Sequence, residues 1–337
     1  MRNAPPRRRP PRGREPRRAD LSWILIAAGA LLLTAGVILG LVSGWGRPGS
    51  AAERPVFDGG AAFALVERQV AFGPRVPNTD AHRAMRAFLT ERLRGLADSV
   101  AVHEFTHVTV QGDTLRLANV LASFDPRSPS RILLAAHWDT RPVANEDPDS
   151  SRRREPIPGA NDGGSGVAVL LTLAEVLRND PLPSGHGVDL LFLDGEDYGH
   201  DPVTLSSRAE DMYLGAREFA RTHARYRPIA GILLDLVGDR DPMFKQEAYS
   251  REYAPEIVER VWRAAADLGH GEIFTDEALG YITDDHLFLN QAGIRTIDII
   301  DFDYPAWHTL ADRPDRMSAE TLRIVGDVLL EVLYNRL

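Results

Sequence analysis

The stretch Val188–Asp197, VDLLFLDGED, decides how the rest of the chain is read. Five of its first six residues are apolar, a run too short for a helix and suited to a strand buried on both faces. It ends on Asp194, Gly195, Glu196 and Asp197. Three carboxylates at the tip of a buried strand crowd like charges where water is scarce. That is costly unless a cation neutralises them or one carboxyl keeps a proton. Taken alone, the cluster reads equally well as a solvated acidic turn, so its meaning depends on the other strand ends.

Outward from this stretch a pattern repeats. Arg131–Ala136 reads as a strand ending in His137, Trp138 and Asp139, and Ile229–Leu234 as one ending in Asp235. Ile294–Ile300 is a further strand, followed by the loop Asp301–Thr309. Between them, the Gly-rich turn GANDGGSG (159–166) opens a helix over Val167–Leu177, and helices are expected at Tyr213–Thr222, Glu256–Leu268, Asp284–Gln291 and Ala319–Tyr334. Upstream, apolar residues at helical spacing predict helices within Gly59–Gly73 and Thr79–Ala97. Val100–Val110 and Thr114–Phe124 read as strands joined by a turn at Gln111–Asp113. His103 and His107 on the first of these read as ordinary surface histidines. Strands alternating with helices predict an α/β fold: a three-layer, mostly parallel twisted sheet with helices on both faces. Ligands of such sheets bind beyond the carboxyl ends of the strands.

The residues expected there are His137, Asp139, Asp162, Glu196, Asp197, Asp235, the run Asp284–Asp285–His286, and His308. Each has a bland reading: a capped core histidine, a helix N-cap, a turn residue, an exposed loop histidine. Jointly those readings fail, because one face of one sheet would have collected two histidines and many carboxylates by accident. A metal site on His, Asp and Glu with a spare carboxylate as general base accounts for them together. The chain has no cysteine, which excludes thiolate ligands and disulfides and favours zinc or another hard-to-borderline divalent ion.

The formal net charge of −9 is unevenly spread. Residues 1–20 carry eight arginines against Glu15 and Asp20, a balance of +6, so the remainder sums to −15 and argues against a nucleic-acid partner. This Arg- and Pro-rich head, 1–20, is expected to be disordered and cytoplasmic. Leu21–Trp45 then runs 25 residues without a charge, long enough to span a bilayer as an uncleaved signal anchor. The arginines before it orient the body to the extracytoplasmic side (periplasmic in a bacterium), and a cleaved signal peptide is the competing expectation. A linker over 46–57 and a catalytic domain over 58–337 complete the expected organisation.

HWD (137–139), GANDGGSG (159–166), DGED (194–197), LLDLVG (233–238), DDH (284–286) and WHT (307–309) occur in this order over roughly residues 58–337. Together they resemble the zinc aminopeptidase and glutaminyl-peptide cyclotransferase superfamily. DDHLFLNQAGI (284–294), YPAWHT (304–309) and YLGAREFA (213–220) resemble its cyclotransferase branch. The resemblance implies that Asp162, Asp197 and His308 hold one zinc and that Glu196 is the general acid/base. It further implies that Asp235 and Asp284 form a hydrogen-bonded carboxyl pair beside it, and that Trp307, with Tyr304, lines the pocket for a peptide's N-terminal residue. Asp139 and His137 would stand behind the ligands, Asp139 orienting His137. In the aminopeptidase branch His137 and Asp235 would instead bind a second zinc bridged by Asp162. Three departures bear on substrate preference. Asp197 stands where animal cyclases have Glu, the loop Tyr198–Met212 lacks a tryptophan, and Asp298 replaces a histidine behind the site.

The activity so implied is cyclisation of N-terminal glutamine of peptides to pyroglutamate with release of ammonia. A di-zinc aminopeptidase is the alternative, and a binding ectodomain of the same fold a third.

Overall fold

The structure, a computed structural model, describes residues 54–183, 185–201 and 203–337. The head 1–20, the expected membrane span 21–45 and the linker up to residue 53 lie outside the described residues. Among the described residues no helix is long and apolar enough to cross a membrane. The last residues of the expected linker already pack on the domain. Arg54 pairs with Asp327 at 2.7 Å, and Phe57 is buried over Gly326, where a Cβ would meet its ring.

A six-stranded sheet carries the domain. Its strands are β1 (Ser99–Val108), β2 (Thr114–Phe124), β3 (Arg131–His137), β4 (Gly187–Leu193), β5 (Ala230–Asp235) and β8 (Thr296–Ile300), in the order β1-β2-β4-β3-β5-β8. β4, β3, β5 and β8 run parallel, whereas β1–β2 and β2–β4 pair antiparallel. The sheet is therefore mixed but mostly parallel, as expected: β2 alone runs against the other strands, because the short turn after β1 permits only an antiparallel return. The registers His137↔Leu193 and Asp235↔Ile300 bring the carboxyl ends of the parallel strands to one edge.

Alternation along each strand divides the apolar residues between two cores. Ile132, Leu134, Leu190, Phe192, Ile232 and Leu234 face the larger one, under α1 (Gly59–Val70), α2 (Asp80–Arg94), α3 (Gly164–Asn179), α6 (Pro255–Asp267) and α8 (Ala319–Glu331). Leu133, Ala135, Leu191, Leu193 and Leu233 face the smaller one, under α4 (Leu214–Thr222) and α7 (Asp285–Gln291). Both faces are thus covered, which is why β4 reads as an almost unbroken apolar run. Three further elements were not expected: β6 (Phe244–Gln246), α5 (Ala248–Tyr253) and β7 (Phe274–Ala278), with β6 and β7 forming a separate two-stranded sheet. Their segments are too short and too polar to show a period. His103 and His107 on β1 are half-buried and contact Glu218 and Asp211 at 3.0 and 2.7 Å, so they are more than surface decoration.

Candidate active site

The acidic tip of β4 separates into residues with different surroundings. Asp194 is buried and structural: Oδ1 lies 2.8 Å from His82 Nε2, and Oδ2 accepts the Ala118 amide at 2.6 Å. His82 in turn stacks on Trp138. Burial pushes the Asp194 carboxyl up to about 6. Beyond the turn, Asp139 reaches across from the end of β3 and accepts the backbone N–H of Glu196 at 3.1 Å and of Asp197 at 3.3 Å. It therefore sets the directions of both side chains, while His137 Nδ1 stays 3.6 Å away.

Two groups of side chains meet at this edge. In the first, His308 Nε2 lies 3.6 Å from Asp162 Oδ2 and 3.9 Å from Asp197 Oδ2. These separations exceed hydrogen-bond length, and Asp162 Oδ2 is buried without a partner. Ligands of a tetrahedral ion at roughly 2.0–2.1 Å stand about 3.3 Å apart, so the trio suits a small divalent cation. Protonation agrees. Burial and the Arg141 charge hold the His308 imidazole well below its ordinary pKa, hence neutral as a ligand must be. Burial acts against ionisation of Asp162, but the hydrogen bond and the charge of His137 outweigh it and bring the carboxyl down to about 2. His308 takes a left-handed φ of 54°. For a residue with a Cβ this stores about 1–2 kcal/mol of strain, tolerated here because Trp307 and the loop around it hold the ring over the site.

In the second group, His137 Nε2 is 3.2 Å from Asp235 Oδ1 and 3.3 Å from Asp162 Oδ1. Burial opposes a charge on His137, yet the surrounding Asp139, Asp162 and Asp235 raise its pKa well above the ordinary value. Asp235 itself is pushed up to about 6 by burial, against the His137 hydrogen bond and with help from the nearby Asp284 charge. Glu196 sits apart from both sets, mostly buried, with Oε2 3.8 Å from His137 Nδ1. Burial and the neighbouring Asp197 raise its carboxyl well above the usual range.

The cleft over these groups holds about 670 Å³ and is lined by Glu196, Asp235, Asp284, Tyr213, Ile282, Phe302 and Trp307 among others. Trp307 stacks on His308 with ring centroids 3.6 Å apart and packs against Phe302. The lining suits an amine-bearing chain end: carboxylates at the bottom, aromatic walls at the side.

Residues 119–333 match the family model described as Peptidase family M28. The chain belongs to that family. Among solved structures, the M28 chain resembles a Bacteroides thetaiotaomicron glutaminyl cyclase crystallised with N-acetylhistamine. The two are 42% identical over 84% of this chain and 99% of that one, with a TM-score of 0.80. A leucine aminopeptidase precursor from the same organism gives 42% identity, the same coverages and the same TM-score. A Drosophila melanogaster glutaminyl-peptide cyclotransferase is 26% identical over 71% of this chain and 70% of its own length.

Within this M28 site the expected residues Asp162, Glu196, Asp197, Asp235, Asp284, Trp307 and His308 line one cleft. Tyr304 is a correction: it is buried beneath the site, and its hydroxyl donates to Asp312 Oδ1 at 3.0 Å. Asp312 accepts the amides of Asn161 and Asp162 at 2.8 and 3.2 Å, so this pair shapes the Asp162 loop from below. Gly163 opens the following helix at φ 73°, where a Cβ would lie 2.5 Å from Asp139 O and 2.9 Å from the His137 ring. Asp298 stands fully buried behind Asp284, 3.7 Å from His286 Nδ1, and burial with the Asp284 charge keeps its carboxyl well above the usual range. His286 Nε2 contacts Glu247 at 3.1 Å.

Arg141 is a site residue with no sequence signal beyond its place two residues after Asp139. Its buried guanidinium forks onto both oxygens of Asp197 and also donates to His200. Burial still pushes Asp197 well up despite this fork, with Asp162 adding to the push. The protein's own cations thus leave the cleft short of positive charge, which a divalent ion would supply.

Proposed function

We propose that this chain is a zinc-dependent glutaminyl-peptide cyclotransferase that converts N-terminal glutamine of peptides to pyroglutamate and releases ammonia. One observation carries the choice over the aminopeptidase alternative. His137 Nε2 already lies within hydrogen-bond distance of Asp162 and Asp235, so one N–H can bridge that group without an ion. His308 Nε2 is too far from Asp162 and Asp197 for hydrogen bonds and Asp162 Oδ2 is buried without a partner, so although Arg141 holds Asp197 the trio keeps room for an ion. This pattern supports one zinc per chain. The likeness to solved glutaminyl cyclases supports the substrate class.

Zinc bound by Asp162, Asp197 and His308 would polarise the side-chain amide carbonyl of the substrate glutamine and stabilise negative charge on its oxygen. The rest falls to the chain itself. Glu196 accepts a proton from the substrate's α-amine, whose nitrogen then bonds to the side-chain amide carbon. The same carboxyl returns the proton to the amide nitrogen as its bond to carbon breaks, so that ammonia leaves. Its raised pKa suits both halves of that exchange. Asp235 and Asp284 face the amine end of the pocket and hold its N–H groups. Trp307 and Phe302 pack on the substrate's first residue and hold the ring-forming geometry, which supplies much of the rate for a closure within one residue.

Zinc content measured beside product analysis on a Gln-initiated peptide tests this. One zinc per chain, ammonia release and a peptide of unchanged residue count are expected, and Asp284→Ala should depress cyclisation while leaving zinc bound. Two zincs at full occupancy with free amino acid as product would promote the aminopeptidase reading, which the presence of His137 and Asp235 and the likeness to an aminopeptidase precursor keep in view.

A further inference from the structure

We propose that Arg75 is a positioning residue of the metal site, holding the loop that carries Asp162 against the loop that carries His137 and Asp139. Arg75 lies in the turn between α1 and α2, within FGPRVP (72–77) and outside the region that matches the family model. Its side chain is completely buried.

The guanidinium donates from every nitrogen. Nε reaches Trp138 O at 3.1 Å, Nη1 reaches Pro158 O at 3.2 Å, and Nη2 reaches Gly159 O at 2.6 Å and Asp162 O at 3.4 Å. The backbone joins in, because Arg75 O accepts the Thr140 amide at 3.4 Å. All four side-chain acceptors are main-chain carbonyls, and they belong to the two segments that must stay in register for His137, Asp139 and Asp162 to meet. A planar fork with five N–H donors can satisfy four carbonyls at once, whereas a lysine ammonium has three donors on one atom. Gly159 reports the same constraint from the other side. At its φ of 67° a Cβ would lie 2.9 Å from Arg75 Nη2 and 2.2 Å from Thr140 Cγ2.

Burying a cation against carbonyls alone is unfavourable unless negative charge lies near. Here Asp312, Asp162 and Asp139 supply it from a distance, and although burial lowers the Arg75 pKa to about 10, the group stays charged at neutral pH. Arg75 therefore belongs electrically to the carboxylate-rich end of the sheet while touching none of its carboxylates. Removing it would orphan four carbonyls and free the Asp162 backbone to move relative to His308.

The inference rests on Asp162 being a zinc ligand, and the test separates the two. Zinc affinity by chelator competition, and the rise in Tm that zinc produces, are compared in wild type, R75M and R75K. Expected are a roughly 10- to 100-fold weaker zinc affinity in R75M and a smaller zinc-dependent rise in Tm. R75K, which keeps the charge but not the fork, should also bind zinc at least about tenfold more weakly. Should R75M fail to fold, R75K carries the same readouts. Unchanged zinc affinity in a folded variant, with Tm lowered equally with and without zinc, overturns the proposal and leaves Arg75 as a loop staple. Wild type that binds no zinc, or D162N that binds it normally, refutes the ligand assignment instead.

Discussion

Glu196→Gln is the most informative single change at this site. The backbone of Glu196 is held independently of its side chain: its N–H donates to Asp139 at 3.1 Å and its carbonyl accepts from Tyr213 at 2.8 Å. Glutamine has the same size, so these bonds and the Arg141 fork on Asp197 persist, and zinc affinity should change by less than about threefold. What disappears is the proton acceptor. General-base loss is expected to reduce kcat by roughly 10²–10⁴, equivalent to about 3–5 kcal/mol of barrier. Stability should not fall. A carboxyl whose folded pKa is raised costs stability above its unfolded pKa, and the amide removes that cost. The pH profile gives a second check. Wild-type kcat/KM should decline as pH drops through the raised pKa of Glu196, because the carboxylate is the form that accepts the proton. The residual activity of the variant should lack that limb. The assay is ammonia release from a Gln-initiated peptide at saturating zinc, beside metal analysis of the purified variant. A loss of zinc together with activity would mean that Glu196 and Asp197 have exchanged roles, and a decrease of less than about tenfold would refute general-base catalysis by Glu196.

Glu247 predicts an acid-dependent stability. Burial opposes its charge, but His286, the Ser250 hydroxyl and the amides of Tyr249, Ser250 and Ile282 all face its carboxylate and bring it down to about 2. Its contribution, about 3 kcal/mol by linkage, is present above the unfolded pKa near 4.3 and lost as pH falls toward 2. Urea unfolding of Glu247→Gln should show that deficit at neutral pH and a shrinking one below about pH 4, and a deficit independent of pH would contradict it. Trp307→Ala should raise KM roughly tenfold with zinc content unchanged, since the ring walls the pocket and ligates nothing. A comparable KM with lowered zinc would show that its stacking on His308 matters more. For the head and the uncharged run Leu21–Trp45, protease added to spheroplasts should digest the body and spare a small N-terminal fragment. A body resistant until lysis would reverse that orientation.

The strand–helix order, the two-faced burial of β4 and the strand-end positions of His137, Glu196, Asp197 and Asp235 were all legible in the chain, because periodicity and punctuation are local properties. The association of Asp162, Asp197 and His308, which the structure brings together, came from the family resemblance of the motifs that carry them. Which way β2 joins the sheet, and the small β6–β7 sheet, were not legible, because they depend on partners distant in sequence. The same holds for charge. Asp194 and Glu196 look alike in DGED, yet one is spent on His82 and the Ala118 amide while the other faces the cleft. Tyr304 reads as a pocket residue beside Trp307, but the backbone turn between them sends its hydroxyl down to Asp312. Arg75 and Arg141 read as two arginines among many, and only the folded chain buries them, one on four carbonyls and one on a carboxylate. A residue's chemistry is written in the sequence, but its desolvation and its partners are set by tertiary contacts, and those decide which charged groups stabilise the fold and which remain free to act.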